Sequence, residues 1–430
     1  MDLEQHLQKL ECHFNWDLGC NKNELKTLLR NLEDVNQERC TWLLHYYNLL
    51  GYIQHALGSD TEALMNLHKA GRVMQERRSE EAGVLLQVNK GNLAWVYFLM
   101  GEMDESKRYL EEVEKLQQMY PAPTGCALHP EVSGEKGWTL MKFNKSMKRK
   151  AIDYFKMALK AEPERKEWHS GLAIAMGKTC SMYNCSPKLK AEILKQLKIA
   201  HENNPNNLFI HAFYLEIQSE VQQKDNERQM EDLLEQSLET GDLECLGTIL
   251  AYFRNISADK AIEAAERVHE TFSNSKKVLK HRANCYKWKV YKMKEDDMER
   301  RTLARDSVEL FKEVIRYYPD SLREKIALAS MYEYTGNSEK ANDIYEHLLK
   351  MKDDLPPHSQ QYIYYSYACH LHSCRRSEES INFHMKVAEI PGNSVDKEKS
   401  IKILKKYGKN GRNPRCEEIW NFLERINIDD

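Results

Sequence analysis

One recurring spacing constrains this chain more than anything else in it. Residues 325–349 read KIALASMYEYTGNSEKANDIYEHLL. Leu328-Ala329 and Tyr332 sit at helical spacing, Gly336 follows where a turn is needed, and Ala341 and Tyr345 recur four apart on a second helix. The same order returns in 47–70 (Leu50-Gly51, Gly58, Ala63, Leu67, Ala70) and in 93–113 (Leu93-Ala94, Tyr97, Gly101, Leu110, Val113). Small residues let two helices of a hairpin approach closely, and the larger ones fill the groove to the next hairpin.

A hairpin unit with a period of roughly 34 residues, a Leu-Gly or Leu-Ala, a following aromatic and an Ala-x-x-x-Phe on the second helix is the tetratricopeptide pattern. Weaker copies are marked by Ala151, Phe155, Ala158 and Pro163; by Leu197, Ala200 and Pro205; by Ala261, Ala265 and Val268; and by Phe311, Val314 and Pro319. A last unit runs through 361–388. The spacing predicts an all-α tetratricopeptide-repeat superhelical solenoid of eight or nine helix-hairpin units, stretched by insertions near 179–190 and 290–305. Apolar residues recur at three and four instead of alternating, so strands are not expected.

Composition fits an array. At 430 residues the chain exceeds the roughly 250–300 that one core supports. Only 11 Pro and 18 Gly are available for turns, which excludes sandwiches, barrels and collagen-like chains. With 63 Lys+Arg against 66 Asp+Glu the net charge is -3, which excludes histone-like coating of nucleic acid but permits a local basic groove. The opening MDLEQHLQKLECHFNW lacks the apolar core of a signal peptide, and the longest apolar run, Leu93–Met100, is far short of the ~20 residues that span a bilayer. A soluble intracellular protein with free thiols is expected. The 11 cysteines include no Cys-x-x-Cys, and Cys180/Cys185 and Cys369/Cys374 lack companion ligands for zinc.

The array divides into N-terminal repeats at 1–134, central repeats at 135–275, and C-terminal repeats with a short terminal helix at 276–430. Segment 118–134 reads as a loop between units, and 390–416, basic and Gly-rich, as a loosely ordered approach to the final helix CEEIWNFLERI.

Solenoids of hairpins expose a concave groove lined by the first helix of each unit. Projection onto the repeat puts Lys280, His281, Asn284, Lys287 and Trp288 in that groove. Phe253 and Arg254 precede them, with Ser170, Ile174 and Lys178 near the middle and Asn48, Tyr52, His55, Asn92 and Trp95 toward the N-terminus. Interleaved cations and flat rings suit single-stranded nucleic acid. The alternative is a protein-binding scaffold that holds peptide segments in the groove. Catalytic signatures are missing: there is no phosphate-cradling Gly-rich loop, no Gly-x-Ser-x-Gly and no His-Glu-x-x-His. Cys12 and His13 read as buried and capping residues. No enzyme, cofactor or metal is expected.

Several longer stretches carry a resemblance. LECHFNWDL at 10–18, YNLLGYIQHALGSDTEAL at 47–64, KGNLAWVYFLMGEMDESKRYL at 90–110, EKGWTLMKF at 135–143, GLAIAMGK at 171–178 and DSVELFKEV…ALASMYEYTGNSEKANDIY at 306–345 are similar to the interferon-induced proteins with tetratricopeptide repeats (the IFIT family). ECHFxW and EKGWxLxKF are far more specific than repeat residues, and the likeness covers essentially the whole chain. The resemblance places the end of the chain one repeat short of the family's usual C-terminus.

The resemblance implies a cytoplasmic, antiviral, non-enzymatic effector. It would hold the 5′ end of single-stranded RNA, triphosphate or incompletely methylated cap, in a basic central tunnel and keep it from translation. The central repeats would form the 5′-end pocket, and outer repeats would meet family paralogues or other proteins. Residue by residue, Trp138 matches the family tryptophan that stacks on a cap guanine, Met141 the apolar residue beside it, and Lys142 the lysine on the 5′ phosphates. Positions 138, 141 and 142 share one helical face, although the repeat projection puts Trp138 at a core position. Lys178 replaces a phosphate-binding arginine, keeping the charge without the fork. Arg30 and Asp34 fall on the polar face that closes the pocket. Arg254 remains among downstream contacts, while Leu243, Leu246 and Gly247 stand where other members carry aromatic and Arg groups. Lys280 and His281 take the place of a His-Gln pair that contacts the first nucleotides.

Overall fold

A computed structural model describes every residue except 1, 20, 34–42, 78, 180–184, 295–296, 353–354, 410–413 and 427–430. Asp34 and Cys180 therefore lie outside the described residues. The regular structure of the described residues is helical, with a 3-10 turn at His13–Asn15 and no strand among them. Contacts divide the chain into two compact units, Met1–Phe253 and Arg254–Asp430.

In the first unit, α1 (Leu3–Leu7) and α2 (Lys22–Glu33) precede five hairpins. These are α3/α4 (Leu43–Ala56, Asp60–Arg77), α5/α6 (Glu80–Leu99, Met103–Met119), α7/α8 (Pro130–Leu140, Lys145–Ala161), α9/α10 (Lys166–Thr179, Pro187–Asn203) and α11/α12 (Leu208–Gln222, Glu227–Thr240). Helix α13 (Leu246–Ile256) crosses the boundary, and α14 (Ala258–Thr271) opens the second unit. There α15/α16 (Lys276–Lys292, Met298–Tyr317), α17/α18 (Leu322–Tyr334, Ser338–Lys350), α19/α20 (Pro357–Ser373, Ser377–Glu389) and α21/α22 (Val395–Lys409, Cys416–Arg425) complete nine contacting pairs.

The repeat residues do what their sizes dictate. A Cβ on Gly51 would lie 2.5 Å from Leu67 Cγ, so α3 and α4 touch there only because position 51 has no side chain. Gly58, Gly101 and Gly336 end first helices with φ of +91°, +87° and +79°, the left-handed turn that glycine enters without a Cβ clash. Ala63, Ala70, Ala151, Ala158, Ala200, Ala261 and Ala341 are fully buried at hairpin contacts. Side-chain caps open many helices; the Ser275 hydroxyl accepts from Val278 N–H at the start of α15.

Three sequence expectations are corrected. Residues 130–134 are helical, not loop: Pro130 supplies the first position of α7 and His129 accepts from Glu131 N–H. Residues 395–409 form α21 instead of a loose approach, because Ser400, Leu404 and Gly408 repeat at four and bury against its neighbours while its lysines face out. Gly408 is there to admit the Trp420 ring, 3.1 Å from a notional Cβ, and not to break the helix. The free-thiol expectation holds for Cys12, Cys126, Cys245, Cys285, Cys369, Cys374 and Cys416, whereas Cys185 is in a disulfide. Among the described residues no helix is long and apolar enough to cross a membrane, and no group of three His, Cys, Asp or Glu could hold a metal ion.

Candidate nucleic-acid interface

In the first unit, the first helices α3, α5 and α7 contact one another, and their shared face is occupied by the chain's own N-terminus. The ECHFNW segment lies against α3 and α5. The His13 backbone N–H donates to Asn92 Oδ1 at 3.0 Å, and Asn92 Nδ2 donates back to His13 Nδ1 at 3.1 Å. His13 Nε2 meets Thr139 Oγ1 at 3.2 Å. Burial pushes the His13 pKa down to about 4, so the ring is neutral, as an Nδ1 that accepts from Asn92 requires. Phe14 stacks on Trp95 at 6.2 Å and meets Tyr52 and His55 at 5.3 Å each.

Below this layer runs a buried polar chain in which Asn89 donates to Asn48 at 2.9 Å and Asn48 donates to Glu135 at 3.0 Å. Of the residues placed in an open groove by the repeat projection, Asn92 and Trp95 are covered by the N-terminal segment, and Asn48 is buried in the polar chain. Ser170, Ile174 and Phe253 are likewise buried. Periodicity locates a face; it does not say what lies on it.

Trp138, Met141 and Lys142 are brought together at the end of α7. Met141 is buried, and Trp138 is half-buried with its ring edge-on to Phe155, 5.1 Å between centroids at 73°. Phe155 is itself fully buried against Gly137 and Gly171. The tryptophan is therefore both packing residue and partly open ring. Lys142, half-buried, occupies the turn that follows, its N–H donating to Thr139 O at 3.0 Å. Helix α9 contacts α7 and carries Lys178 at its exposed end, Nζ 5.3 Å over the Phe209 ring. Arg30 is half-buried on α2, which packs on α3.

In the second unit Arg254, Lys280 and His281 are neighbours. Burial, then Lys277, Lys280 and Arg254, push the His281 pKa down to about 3. This ring is neutral, and its surroundings favour an anion. Lys280 is committed inward: Nζ lies 3.4 Å from Oε1 of the buried Glu324 and 4.8 Å over the Tyr318 ring. Arg254 sits 5.3 Å over the exposed Trp288. Lys287 donates to Asn284 at 2.8 Å, and burial followed by Arg323 lowers its pKa to about 8. Lys277, Tyr291, Arg323 and Tyr334 also line this face and escaped the sequence reading. Continuing the series 284, 287, 288 by one more step to 291 would have found Tyr291.

A search of family models finds no match. Protein IFIT1 homolog B of Homo sapiens is 29% identical over 442 residues, spanning 99% of this chain and 92% of its own length. The human antiviral innate immune response effector IFIT1 is 28% identical, covering 94% of this chain and 87% of its own. Among solved structures, a human IFIT1 dimer with PPP-AAAA superposes with a TM-score of 0.72 at 25% identity, over 99% of this chain and 95% of that one. The likeness runs the full length in both sequence and fold: the chain is similar throughout to the interferon-induced proteins with tetratricopeptide repeats.

Proposed function

We propose that this antiviral effector binds the 5′ end of single-stranded RNA, as a triphosphate or an incompletely methylated cap, in the cytoplasm and sequesters it from translation. The observation that carries the reading is the end of α7, where a half-buried Trp138 steadied edge-on by Phe155 stands one turn from Lys142. A ring so held offers a flat face to a base at little entropic cost, and the lysine supplies charge for phosphates. Met141 is buried one turn along from Trp138, and Lys178 and Arg30 add cations in the same unit. In the second unit Arg254 and the neutral His281 are proposed nucleotide contacts in their own right, with Lys280 a weaker contributor because Glu324 holds it. The protein is not an enzyme, so affinity and residence time are its whole output. Family paralogues or other proteins are proposed partners of the outer repeats.

The test is an anisotropy titration of one RNA with a 5′-hydroxyl, a 5′-triphosphate or a cap lacking ribose methylation. A modified end is expected to bind far more tightly, and Lys142→Glu to weaken that binding about thirtyfold or more. With a slope near -0.7 per phosphate and roughly three to four contacts, affinity should fall about 20- to 50-fold between 50 and 200 mM salt. Equal binding of all three RNAs would overturn the reading, and salt-insensitive binding of peptides would put the scaffold in its place.

A further inference from the structure

Charge is shared unevenly among the second helices of the hairpins, although the whole sequence is nearly balanced at a net -3. Helix α8, KSMKRKAIDYFKMALKA, holds six cations, Lys145, Lys148, Arg149, Lys150, Lys156 and Lys160, against one acid, Asp153. Helix α12, two hairpins on, holds five acids and one cation. On three other second helices a cation finds an acid one turn away: Arg108 meets Glu105 and Glu112 on α6, Lys198 meets Glu202 on α10, and Lys312 meets Glu309 on α16. Helix α8 lacks such pairs. Its Lys145, Arg149, Lys150, Lys156 and Lys160 are exposed, and among the described residues none of the five has an ion pair.

The arrangement works against the helix that carries it. The first turn of α8 has no acid, where the backbone dipole favours one, and has Lys145 and Lys148 instead. Lys145 with Arg149, and Lys156 with Lys160, are like charges four apart, which repel on adjoining turns. Packing does not call for them, because the buried side of α8 is made by Met147, Ala151, Phe155 and Ala158. Lys145, Arg149, Lys156 and Lys160 fall within about 60° of arc and form a straight row roughly 22 Å long. Met157, 36% exposed, stands beside the far half of the row. An acidic helix with an apolar residue among its carboxylates uses both the cations and the methionine. Single-stranded RNA does not: Phe155 is buried, Tyr154 is half-buried with Lys136 Nζ 4.6 Å over its ring, and no aromatic ring of α8 is exposed. Five of the six cations are lysines, point charges without the arginine fork that grips phosphate.

We propose that the exposed face of α8 is a docking surface for an acidic, helical segment of a partner protein. Carboxylates repeating one and two turns apart on that segment meet Lys145, Arg149, Lys156 and Lys160, and an apolar side chain among them meets Met157. The partner supplies the counter-charge that α8 lacks within its own chain. The surface lies on a single helix and is independent of the 5′-end reading. Each exposed pair is weak alone, so affinity comes from the row as a whole and falls with salt.

The probe is a fluorescent, alanine-based helical peptide of about 18 residues with Glu at the spacing of the row and one Leu beside them. A second peptide carries Gln in place of each Glu. In anisotropy titrations at about 50 mM salt, the full chain should bind the Glu peptide about tenfold or more tighter than the Gln peptide. Lys156→Glu with Lys160→Glu should remove that preference, and the milder Lys156→Gln with Lys160→Gln should remove part of it, with helix content by circular dichroism unchanged in both. Lys107→Glu with Lys115→Glu on α6 makes the same change of net charge at exposed positions and should leave the preference within about twofold. Met157→Ala should weaken the Leu-bearing peptide about threefold and leave a peptide without the leucine unchanged, which charge attraction alone does not do. Equal binding of the Glu and Gln peptides would overturn the proposal and leave α8 a solvated face. Equal loss in the α6 and α8 variants would also overturn it, by leaving only net charge. A 5′-hydroxyl RNA of about 12 nucleotides that displaces the peptide, and that loses affinity in Lys156→Glu with Lys160→Glu, would overturn it by assigning the row to phosphates.

Discussion

Trp95 and Trp288 stand on equivalent first helices of the two units and have opposite fates. Trp95 is 9% exposed beneath Phe14, whereas Trp288 is 38% exposed with Arg254 over its ring and Tyr291 at its edge. The hairpins that carry them follow the same rules of small and large residues. What differs is whether another stretch of chain lies on the face the hairpins create. In the first unit residues 10–16 do so with a hydrogen-bonded histidine and three aromatic contacts; in the second unit the same kind of face remains a surface.

The comparison breaks most easily at Asn92. Asn92→Leu removes the partner of the buried His13 N–H and Nδ1 together, and should cost about 3–5 kcal/mol. Trp288→Ala, at the open face, should cost within about 1 kcal/mol. A chain of two units need not melt as one, so the loss is best read by hydrogen exchange in α5 against α15. If the two variants destabilise alike, the faces are not different in the way described.

A second effect is pH dependence. His13 and His211 are held at about 4, His281 at about 3 and His384 at about 4, all chiefly by burial and all below their ordinary 6.5. Between pH 4 and 6.5 the unfolded chain binds protons at these rings and the native chain does not. Their stabilisation is therefore complete above 6.5 and is lost as pH falls toward 4, by on the order of 3 kcal/mol for His13 alone. Glu131 opposes them: buried beside Arg165, its carboxyl is raised to about 7, so its contribution is complete below 4.5 and is lost as pH rises through 7. Four groups outweigh one, and the melting temperature should rise from pH 4.5 to 6.5. A flat profile would mean that the rings open to solvent.

The smallest effect belongs to Lys287. As pH rises from 7 to 9 this lysine passes through its pKa of about 8 and loses its charge, so binding of 5′-triphosphate RNA should weaken about threefold. Lys287→Arg should remove that dependence. Persistence in the arginine variant would assign the proton elsewhere.

These contrasts also show what a sequence can carry. The helix pairs, their glycine turns and the Ala contacts were legible because backbone spacing and side-chain size are local properties. The motif ECHFNW was legible as a marker of kinship but not as an occupant of the groove, since its partners Asn92 and Thr139 lie 79 and 126 residues away. Trp138 read as core by period and as pocket by resemblance, and its half-buried position accommodates both. Helix α21 was missed because Gly408 resembles a breaker until the Trp420 ring that needs it is in view. Lys280 reads as a ligand contact until the buried Glu324 is found beneath it.

The position of residues 10–16 has a consequence for how the protein is made. Solenoids assemble from neighbour to neighbour, so each hairpin can settle soon after it leaves the ribosome. Here residues 10–16 cannot settle in that order. His13 waits for Thr139 and Glu11 waits for Lys136, 126 and 125 residues later, and until then Phe14 and Trp16 have no complete seat. A nascent chain shorter than about the third hairpin carries an unsatisfied aromatic tail beside an unfilled groove. The segment is made well before the seat that receives it.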